Sequence, residues 1–500
     1  MNQFNWSVIN FAWLPILPLI VVAAGAIGVL LVGVEIDDED SGGLGILSIA
    51  LMVVAALLSL LLFGGRPSLS FSGALSISGY TGYFELLILF SAAMTALMSV
   101  EYAADQGLAG AEYYSLVMFA ALGMMLMAAA DDLIVIFLGL ETMSIAIYAL
   151  AGFLRRDSRS NEAALKYFLL GAFSTGFLLY GIALVYGATG SIKLEPIEAA
   201  LSRPANDNAL LLAGIGLMLI GFGFKVAAVP FHMWTPDAYE GAPTPVTAFM
   251  AVGVKAAAFA GFVRVFMAHF GPLGPQWTTL LWAVAVLTMT VGNLAALVQT
   301  NIKRMLAYSA IAHAGYILVG MTAVAAARSG GAILYYLLGY AFTNLGAFAV
   351  VIALERRGAV SDDIADYRGL ATRHPWLAAA MALFMLSLTG VPPLAGFFGK
   401  FYIFSAALDA HLVWLTVIAV INSVISAYYY LSVLIAIYAR EGGVEPVALR
   451  TRPALVAALV IASIGTVAIG LFPQAYTSSA DSAFASALGS HPHRHVVLDR

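Results

Sequence analysis

The sequence predicts an all-α polytopic membrane protein of about fourteen transmembrane helices, and three observations carry that expectation. Of its 500 residues, 62% are hydrophobic and 10% are charged, and the mean hydropathy is +0.93; a water-soluble domain carries about 25% charge. Apolar runs of about 20 residues, long enough to cross a bilayer as helices, recur from Phe11 to the stretch before Phe472. These runs lack the alternation of barrel strands, so each is expected to be a helix that satisfies its own backbone in lipid.

Punctuation by charge, glycine and proline places helices near 11–34, 44–64, 82–102, 112–130, 132–154, 163–187 and 209–233. The others fall near 245–270, 277–299, 304–326, 331–354, 375–404, 411–439 and 454–473. The opening MNQFNWSVINFAW lacks the basic start of a signal peptide and the Arg/Ser richness of a transit peptide, so the first apolar segment is expected to be a retained span. The Ser- and Gly-rich segment from Arg66 to Thr81 is too polar to span and reads as a loop with room for a short hairpin.

Basic residues in the short loops set the orientation. Arg155, Arg156 and Arg159 share one loop, Lys303 and Arg304 another, Arg356, Arg357, Arg368 and Arg373 a third, and Arg440, Arg450 and Arg452 a fourth. With fourteen alternating spans all four loops fall on one side, which is expected to be cytoplasmic, with both termini on the periplasmic side. The opposite loops hold fewer basic residues, such as Arg66, Lys193, Arg203 and Arg328.

Two spans carry helix breakers. The seventh reads GFGFKVAAVPFHMWTPDAYEGAPTP, with Gly221, Gly223 and Pro230; the twelfth reads SLTGVPPLAGFFGK, with Gly390, Pro392, Pro393, Gly396 and Gly399. Proline frees carbonyls that lipid cannot satisfy, so these bends belong inside the protein or against water. Broken helices at matching places in two halves point to transporter-like repeats with ion sites at the midplane. The chain divides on that basis into N-terminal helices (1–110), a first five-helix unit (111–270), a second (271–440) and a last helix with a C-terminal tail (441–500).

Charge inside the spans is the functional signal, because an ionised side chain at the bilayer centre costs roughly 2.5–3.5 kcal/mol on insertion scales. Glu141 lies within IFLGLETMSIAIY, Lys225 beside the break of the seventh span, Lys255 within AFMAVGVKAAAFAGF, and Lys400 just past the break of the twelfth. Lys255 lies about 15 Å from either end of its span, too far to reach an interface, whereas Lys166 either snorkels to the membrane surface or joins the buried set. Burial disfavours the ammonium and a nearby carboxylate restores it, so lysine can load and release a proton where arginine stays charged. Glu141 and Lys225 are the pair expected to act as that switch.

Histidine supplies relay chemistry near neutral pH. His232 follows Lys225 by two helical turns, and His313 has Ser309 four residues before it and Tyr316 three after, a polar stripe at helical spacing. Either can equally be a hydrogen-bonded packing residue. Tyr428, Tyr429 and Tyr430 are expected to be core and interface aromatics, and His491, His493 and His495 to lie in a mobile tail.

The composition also excludes. With no cysteine, thiolate metal sites, cysteine-ligated clusters and disulfides are all excluded. A net charge of −5 without a basic stretch interleaved with aromatics gives no nucleic-acid signature. No nucleotide fingerprint on a strand–turn–helix unit is present, so NADH is not expected to bind here.

Four segments are similar to a known family. LGLETMSIAIYALAGF from Leu138, KVAAVPFHMWTPDAYEGAPTPVTAFMAVGVKAAAF from Lys225 to Phe259, NIKRMLAYSAIAHAGY from Asn301 to Tyr316, and GVPPLAGFFGKFYIF from Gly390 closely resemble the antiporter-like membrane subunits of respiratory complex I. That family also includes subunits of multisubunit cation/proton antiporters, which is the alternative function. The resemblance implies two inverted five-helix repeats, a hydrated mid-membrane axis, Glu141 and Lys225 as a coupling pair, Lys255 as central proton carrier and Lys400 as terminal carrier. The M-type subunit typically has glutamate in place of Lys400; the L-type has lysine but continues into a lateral helix for which no residues are expected here. The resemblance further implies partners in the membrane arm (the M-type subunit, the small K- and J-type subunits, and lipids) and a bacterial inner-membrane location. It places NADH, FMN, iron–sulfur clusters and quinone in other subunits and no cofactor or metal in this chain, which acts as part of a proton-translocating NADH:quinone oxidoreductase. An inert membrane scaffold is the contrasting possibility, and the cost of buried charge argues against it.

Overall fold

The computed structural model describes residues 13–35, 42–63, 67–106, 108, 110–202, 209–355, 362–439 and 452–489. The predicted loop residues Arg66, Arg203, Arg356, Arg357, Arg440 and Arg450, and the tail histidines His491, His493 and His495, lie outside them.

Among the described residues the chain is a helical bundle with one small hairpin. Helices α1 (Leu17–Gly33) and α2 (Gly42–Phe63) precede strands β1 (Ser68–Ser70) and β2 (Leu75–Ile77), which pair antiparallel in the Ser- and Gly-rich loop. Then follow α3 (Gly79–Gln106), α4 (Ala111–Ala129), α5 (Leu133–Ala151), α6 (Ser158–Thr189), the short α7 (Leu194–Leu201), α8 (Ala209–Lys225) and α9 (Trp234–Gly241). Next come α10 (Thr244–His269), α11 (Gly274–Leu297), α12 (Ile302–Thr322), α13 (Ser329–Leu354), α14 (Pro375–Thr389) and α15 (Ala395–Asp409). Helices α16 (Val413–Ala439), α17 (Pro453–Leu471) and α18 (Pro473–Gly489) complete the described chain.

Among the described residues, twelve helices are long and apolar enough to cross a membrane. The two predicted broken spans are the helix pairs α8–α9 and α14–α15, parted at Val226–Met233 and at Gly390–Leu394. The chain is therefore a multi-pass membrane protein. Its rim helices turn bare leucines, isoleucines and aromatics outward, such as Leu61, Phe173 and Trp414, as a lipid-facing surface requires. By contrast, the hydrophobic window of α10 is wholly buried, and two π-helical segments, Met250–Val254 and Val263–His269, bracket its α-helical centre.

Close helix approach substitutes for the hydrophobic effect, which lipid removes as a force between spans. On α4 and α5, a Cβ on Gly123 would stand 2.4 Å from the Met143 backbone nitrogen and one on Gly139 2.8 Å from the Gly123 carbonyl. Helices α11 and α12 repeat the arrangement: Cβ atoms on Gly292 and Gly315 would stand 2.7 and 2.5 Å from the nitrogens of Ala312 and Met289.

The loop contacts fall on two faces. One face holds the β1–β2 hairpin, the Leu75–Ala130 and Asp132–Lys193 bridges and α18. The other, here called the basic face, holds the Asn301–Asp363 bridge, the Arg452–Asp105 ion pair at 2.6 Å, and Glu101, which accepts the first backbone amides of α17. One expectation is corrected here. The residues after the last span begin with a helix, α18, that seats Ala480, Ala483 and Phe484 on the bundle and accepts the Tyr80 amide at Ser486 Oγ, 2.8 Å away. Their Ala/Ser-rich composition hid that helix, because its apolar face is built mostly of alanine. Tyr430 is a buried core aromatic, as expected.

The glycine contacts yield a stability prediction. Gly139→Leu forces α4 and α5 apart and is expected to cost about 1–3 kcal/mol or more, seen as a lower Tm of the purified complex. Gly176→Leu, at a lipid-facing site with open space around it, is expected to leave Tm unchanged.

Candidate functional site

Buried lysines with aromatic neighbours stand at the first break, in α10 and at the second break. Lys225 is the last residue of α8, where the backbone leaves the helix and Ala227 takes a positive φ of 62°. Its Nζ donates to Ser144 Oγ at 2.7 Å and to the Tyr148 hydroxyl at 3.2 Å, both on α5, and lies 5.2–5.7 Å from the ring centres of Tyr148, Tyr167 and Phe224. Glu141 lies one turn before Ser144 on α5, half-buried, and its Oε1 has no hydrogen-bond partner. Lys225 and Glu141 thus sit on facing helices without forming an ion pair.

Lys255 is 2% exposed and follows directly on the first π-helical segment of α10. Its Nζ donates to the Ala310 carbonyl on α12 and lies 5.9 Å from the Tyr340 ring centre. One turn beyond Ala310, His313 is held by Tyr336 OH at Nδ1 (2.5 Å) and Tyr430 OH at Nε2 (3.0 Å), and Tyr430 also meets Ser309 Oγ at 2.5 Å. A small cavity lined by His313, Tyr336, Tyr340, Thr343 and Ser387 opens beside this histidine toward the α14–α15 break.

Lys400 stands at the second break. Its Nζ donates to the carbonyls of Leu388 and Thr389 at 3.0 and 2.9 Å and to Ser423 Oγ at 3.0 Å. Those carbonyls end α14, where Gly390 has a φ of 96°, so the lysine from the next half-helix satisfies acceptors that the break left open. Its ammonium also lies 5.2 Å from the Tyr316 ring centre. Tyr316 accepts a hydrogen bond from Asn293, whose Oδ1 accepts from Tyr429.

Lys225, Lys255 and Lys400 share one chemical setting. Each ammonium is held by carbonyl or hydroxyl oxygens, and among the described residues none has a carboxylate within ion-pair distance. Such partners can accept hydrogen bonds from an ammonium and from a neutral amine alike, so loss of a proton strands no buried anion. The constellation is suited to carrying protons singly.

Other predicted residues stand apart. Lys166 sits half-exposed at the basic face, ion-paired at 2.6 Å to both Glu162 and Asp237, and is not joined to the buried lysines. Asp237 also binds Arg304 at 2.8 Å, and Arg304 binds Glu240 at 2.7 Å, so this cluster ties α6, α9 and α12 together. On the same face, in a loop, burial raises the Asp362 carboxyl above its usual range against the pull of Lys303. His232 lies in the turn between α8 and α9 with its Nδ1 unpartnered and makes no bond to Lys225.

Several polar residues escaped the sequence reading. Tyr148, Tyr336, Tyr340 and Tyr430 look like ordinary core aromatics until their hydroxyls are placed. Glu85 is 2% exposed and accepts from Ser59 Oγ at 2.8 Å. Arg264, also 2% exposed, donates to Thr81 Oγ1 at 3.1 Å and lies 3.8 Å from Asp131, which His269 also approaches. The insertion-cost argument used for the lysines would have found Glu85 and Arg264, both inside apolar runs.

Comparison with known proteins agrees with this geometry. The family described as NADH:quinone oxidoreductase/Mrp antiporter, TM matches residues 130–426. NADH-quinone oxidoreductase subunit N of Trichlorobacter lovleyi is 47% identical over 459 residues, covering 92% of this chain and 94% of that one. Subunit N 1 of Solibacter usitatus is 45% identical over 463 residues, covering 91% and 94%. Among solved structures, a chain of respiratory complex I from Thermus thermophilus with bound aureothin superposes with a TM-score of 0.77 at 37% identity, covering 93% of this chain and 99% of that one. A chain of the Mrp complex from Dietzia shares the fold, with a TM-score of 0.83 at 20% identity over 96% of this chain and 98% of that one. With these identities spanning nine-tenths of its length, the chain belongs to the subunit N family of NADH-quinone oxidoreductase.

Proposed function

We propose that this chain is a proton-translocating subunit in the membrane arm of an NADH:quinone oxidoreductase, driven by redox chemistry in other subunits. The observation that carries the reading is the set of three membrane-buried lysines held only by neutral oxygens, with His313 and the rings of Tyr340 and Tyr316 beside Lys255 and Lys400. Lys255 is the central carrier and Lys400 the terminal one. Glu141 and Lys225 form the coupling pair: when Lys225 leaves Ser144 and Tyr148 for the unpartnered Glu141 carboxylate, one turn away, its proton is held; on return it can be passed on. Lys166 and His232 have no part in that set.

Two inverted repeats, 111–270 and 271–440, organise the machine. The matching glycine contacts of α4–α5 and α11–α12 support the correspondence, as do the two breaks, each with a lysine. NADH, FMN, iron–sulfur clusters and quinone belong to partner subunits, and the immediate neighbours are an M-type antiporter-like subunit and the small K- and J-type subunits. The membrane is the bacterial inner membrane, with the basic face cytoplasmic and both termini periplasmic. Cation/proton exchange of the Mrp kind is the alternative, but there the likeness is at fold level, whereas identity to subunit N relatives is more than twice as high. Purification of the native complex tests the assignment: redox subunits are expected to co-purify, and a set of cation-antiporter chains would refute it.

Three outcomes follow for assembled complexes. Lys225→Ala is expected to lower NADH:quinone turnover and pumping together, as measured in inverted membrane vesicles; unchanged pumping removes Lys225 from the mechanism. Lys400→Arg keeps the charge but holds its proton permanently, so pumping is expected to fall nearly as far as in Lys400→Ala; full pumping would show that Lys400 supplies a fixed field. Finally, a single cysteine introduced at Arg156 in this cysteine-free chain is expected to react with a membrane-impermeant maleimide only from the cytoplasmic side, and one at Gln474 only from the periplasmic side.

A further inference from the structure

Lys255 is enclosed on all sides, and its route to the basic face is not given by the other lysines. Helices α3 and α13 run parallel and in register beside it. Tyr83 OH donates to the Leu334 carbonyl at 3.0 Å, Phe90 stacks on Phe342 at 4.3 Å, and Tyr102 OH donates to Glu355 Oε1 at 2.9 Å, all at nearly the same offset in the chain. On α13 a polar stripe, Tyr336, Tyr340 and Asn344, climbs from His313 toward the basic face and then stops at Ala347, Phe348 and Val351 before Glu355. At those heights α3 supplies what α13 lacks: Thr95 stands level with Ala347 and Ser99 with Val351.

The hydroxyls of α3 form a ladder. Ser91, Thr95, Ser99 and Tyr102 are all 0–1% exposed and share one helical face. Ser91 donates to the Ile88 carbonyl, Thr95 to that of Ser91 and Ser99 to that of Thr95, at 2.6–2.8 Å, which leaves the oxygens of Ser91 and Thr95 free to accept, while Ser99 Oγ accepts from the Tyr113 hydroxyl at 2.8 Å and keeps its second lone pair. Successive rungs rise by about 6 Å, the span of two hydrogen bonds through one water. The lower end meets α10 beside Lys255, where a Cβ on Gly253 would stand 2.9 Å from Ser91 Oγ. The upper end is Glu355, half-buried at the end of α13, which also accepts from Thr244 Oγ1 at 2.6 Å.

A second observation points to water in this passage. Asn344, which is 0% exposed, and the Tyr340 hydroxyl lie near each other, yet neither meets a partner in good hydrogen-bond geometry. Near the upper end the buried Tyr367 hydroxyl is likewise unpartnered. Buried polar groups in native proteins are satisfied, and where protein does not do it ordered water does.

We propose that Glu355, Tyr102, Ser99, Thr95 and Ser91, with water held by Asn344 and Tyr340, form the inlet that carries protons from the basic face to Lys255. Glu355 takes a proton from the aqueous side and gives it to the ladder. Each hydroxyl or water accepts one proton on one side as it releases one on the other, and the last passes to the neutral Lys255 amine. No electrons move, and rotation of the hydroxyls resets the chain. The inlet rests on the reading of Lys255 as a proton carrier, and its hydroxyl ladder lies on α3, outside residues 130–426.

The test compares assembled complexes in inverted vesicles, reading NADH-driven pumping and its slowing in D2O. Thr95→Val with Ser99→Ala removes two rungs while nearly keeping shape and is expected to slow pumping several-fold and raise the D2O effect; Thr95→Ser, which keeps the hydroxyl, is expected to restore the rate. Equal slowing by Thr95→Val and Thr95→Ser would mean that these residues only pack helices, and would overturn the proposal. Full pumping by the double variant beside a non-pumping Lys255→Ala would remove the inlet alone. Full pumping by Lys255→Ala would remove the central carrier and the inlet with it.

Discussion

The structure depends on one constraint: lipid offers no hydrogen bond to a backbone group, so every carbonyl freed by a broken span must be answered from inside the protein. At the second break the answer is Lys400, whose ammonium takes the last carbonyls of α14. Charge and break stabilise each other there, since the free carbonyl end of a half-helix carries partial negative charge and attracts a cation. At the first break the partners are hydroxyls of α5, which hold Lys225 where α8 ends. A buried lysine and a broken helix, each costly alone, become compatible when placed together.

The same economy explains why the interior is rich in hydroxyls and poor in ion pairs. A lysine locked to a carboxylate would keep its proton, and losing either partner would leave a stranded charge. Carbonyl, serine and tyrosine oxygens instead stabilise the ammonium without fixing it. Direct ion pairs sit at the two ends of the bundle, in the Lys166–Asp237–Arg304–Glu240 cluster and in the Arg264–Asp131–His269 cluster, where they fasten helix ends and loops. Charge paired with opposite charge is at the faces, and charge held by neutral oxygens is at the centre.

Packing holds these oxygens in place. The backbone contacts at Gly139 and Gly315 draw α4 to α5 and α11 to α12, and α10, buried throughout its hydrophobic window, is wrapped by its neighbours. Lys255 therefore meets a fixed wall on α12, in which Ala310, His313 and Ser309 are set by a single helix. The π-helical turns on either side of the α10 centre shift the phase of its side chains, which is how such segments re-aim residues at functional sites.

The sequence by itself determined the membrane class, the two broken spans and the burial of Lys225, Lys255 and Lys400. All of these rest on transfer cost, which is local: a proline or a lysine within twenty apolar residues is expensive whatever surrounds it. Glu85 and Arg264 were equally legible on that ground and were passed over. Tertiary structure alone decided the rest. That Tyr430 bonds His313, Tyr429 bonds Asn293 and Tyr428 points out of the bundle follows from which side of α16 meets α11 and α12, since successive residues on a helix differ by about 100° and nothing in a run of three tyrosines marks the inward one. The separation of Glu141 from Lys225, the exile of Lys166 to the surface and the alignment of the α3 hydroxyls with the apolar gap of α13 likewise depend on the register between helices. Register is fixed by packing over the whole bundle, and no single segment carries it.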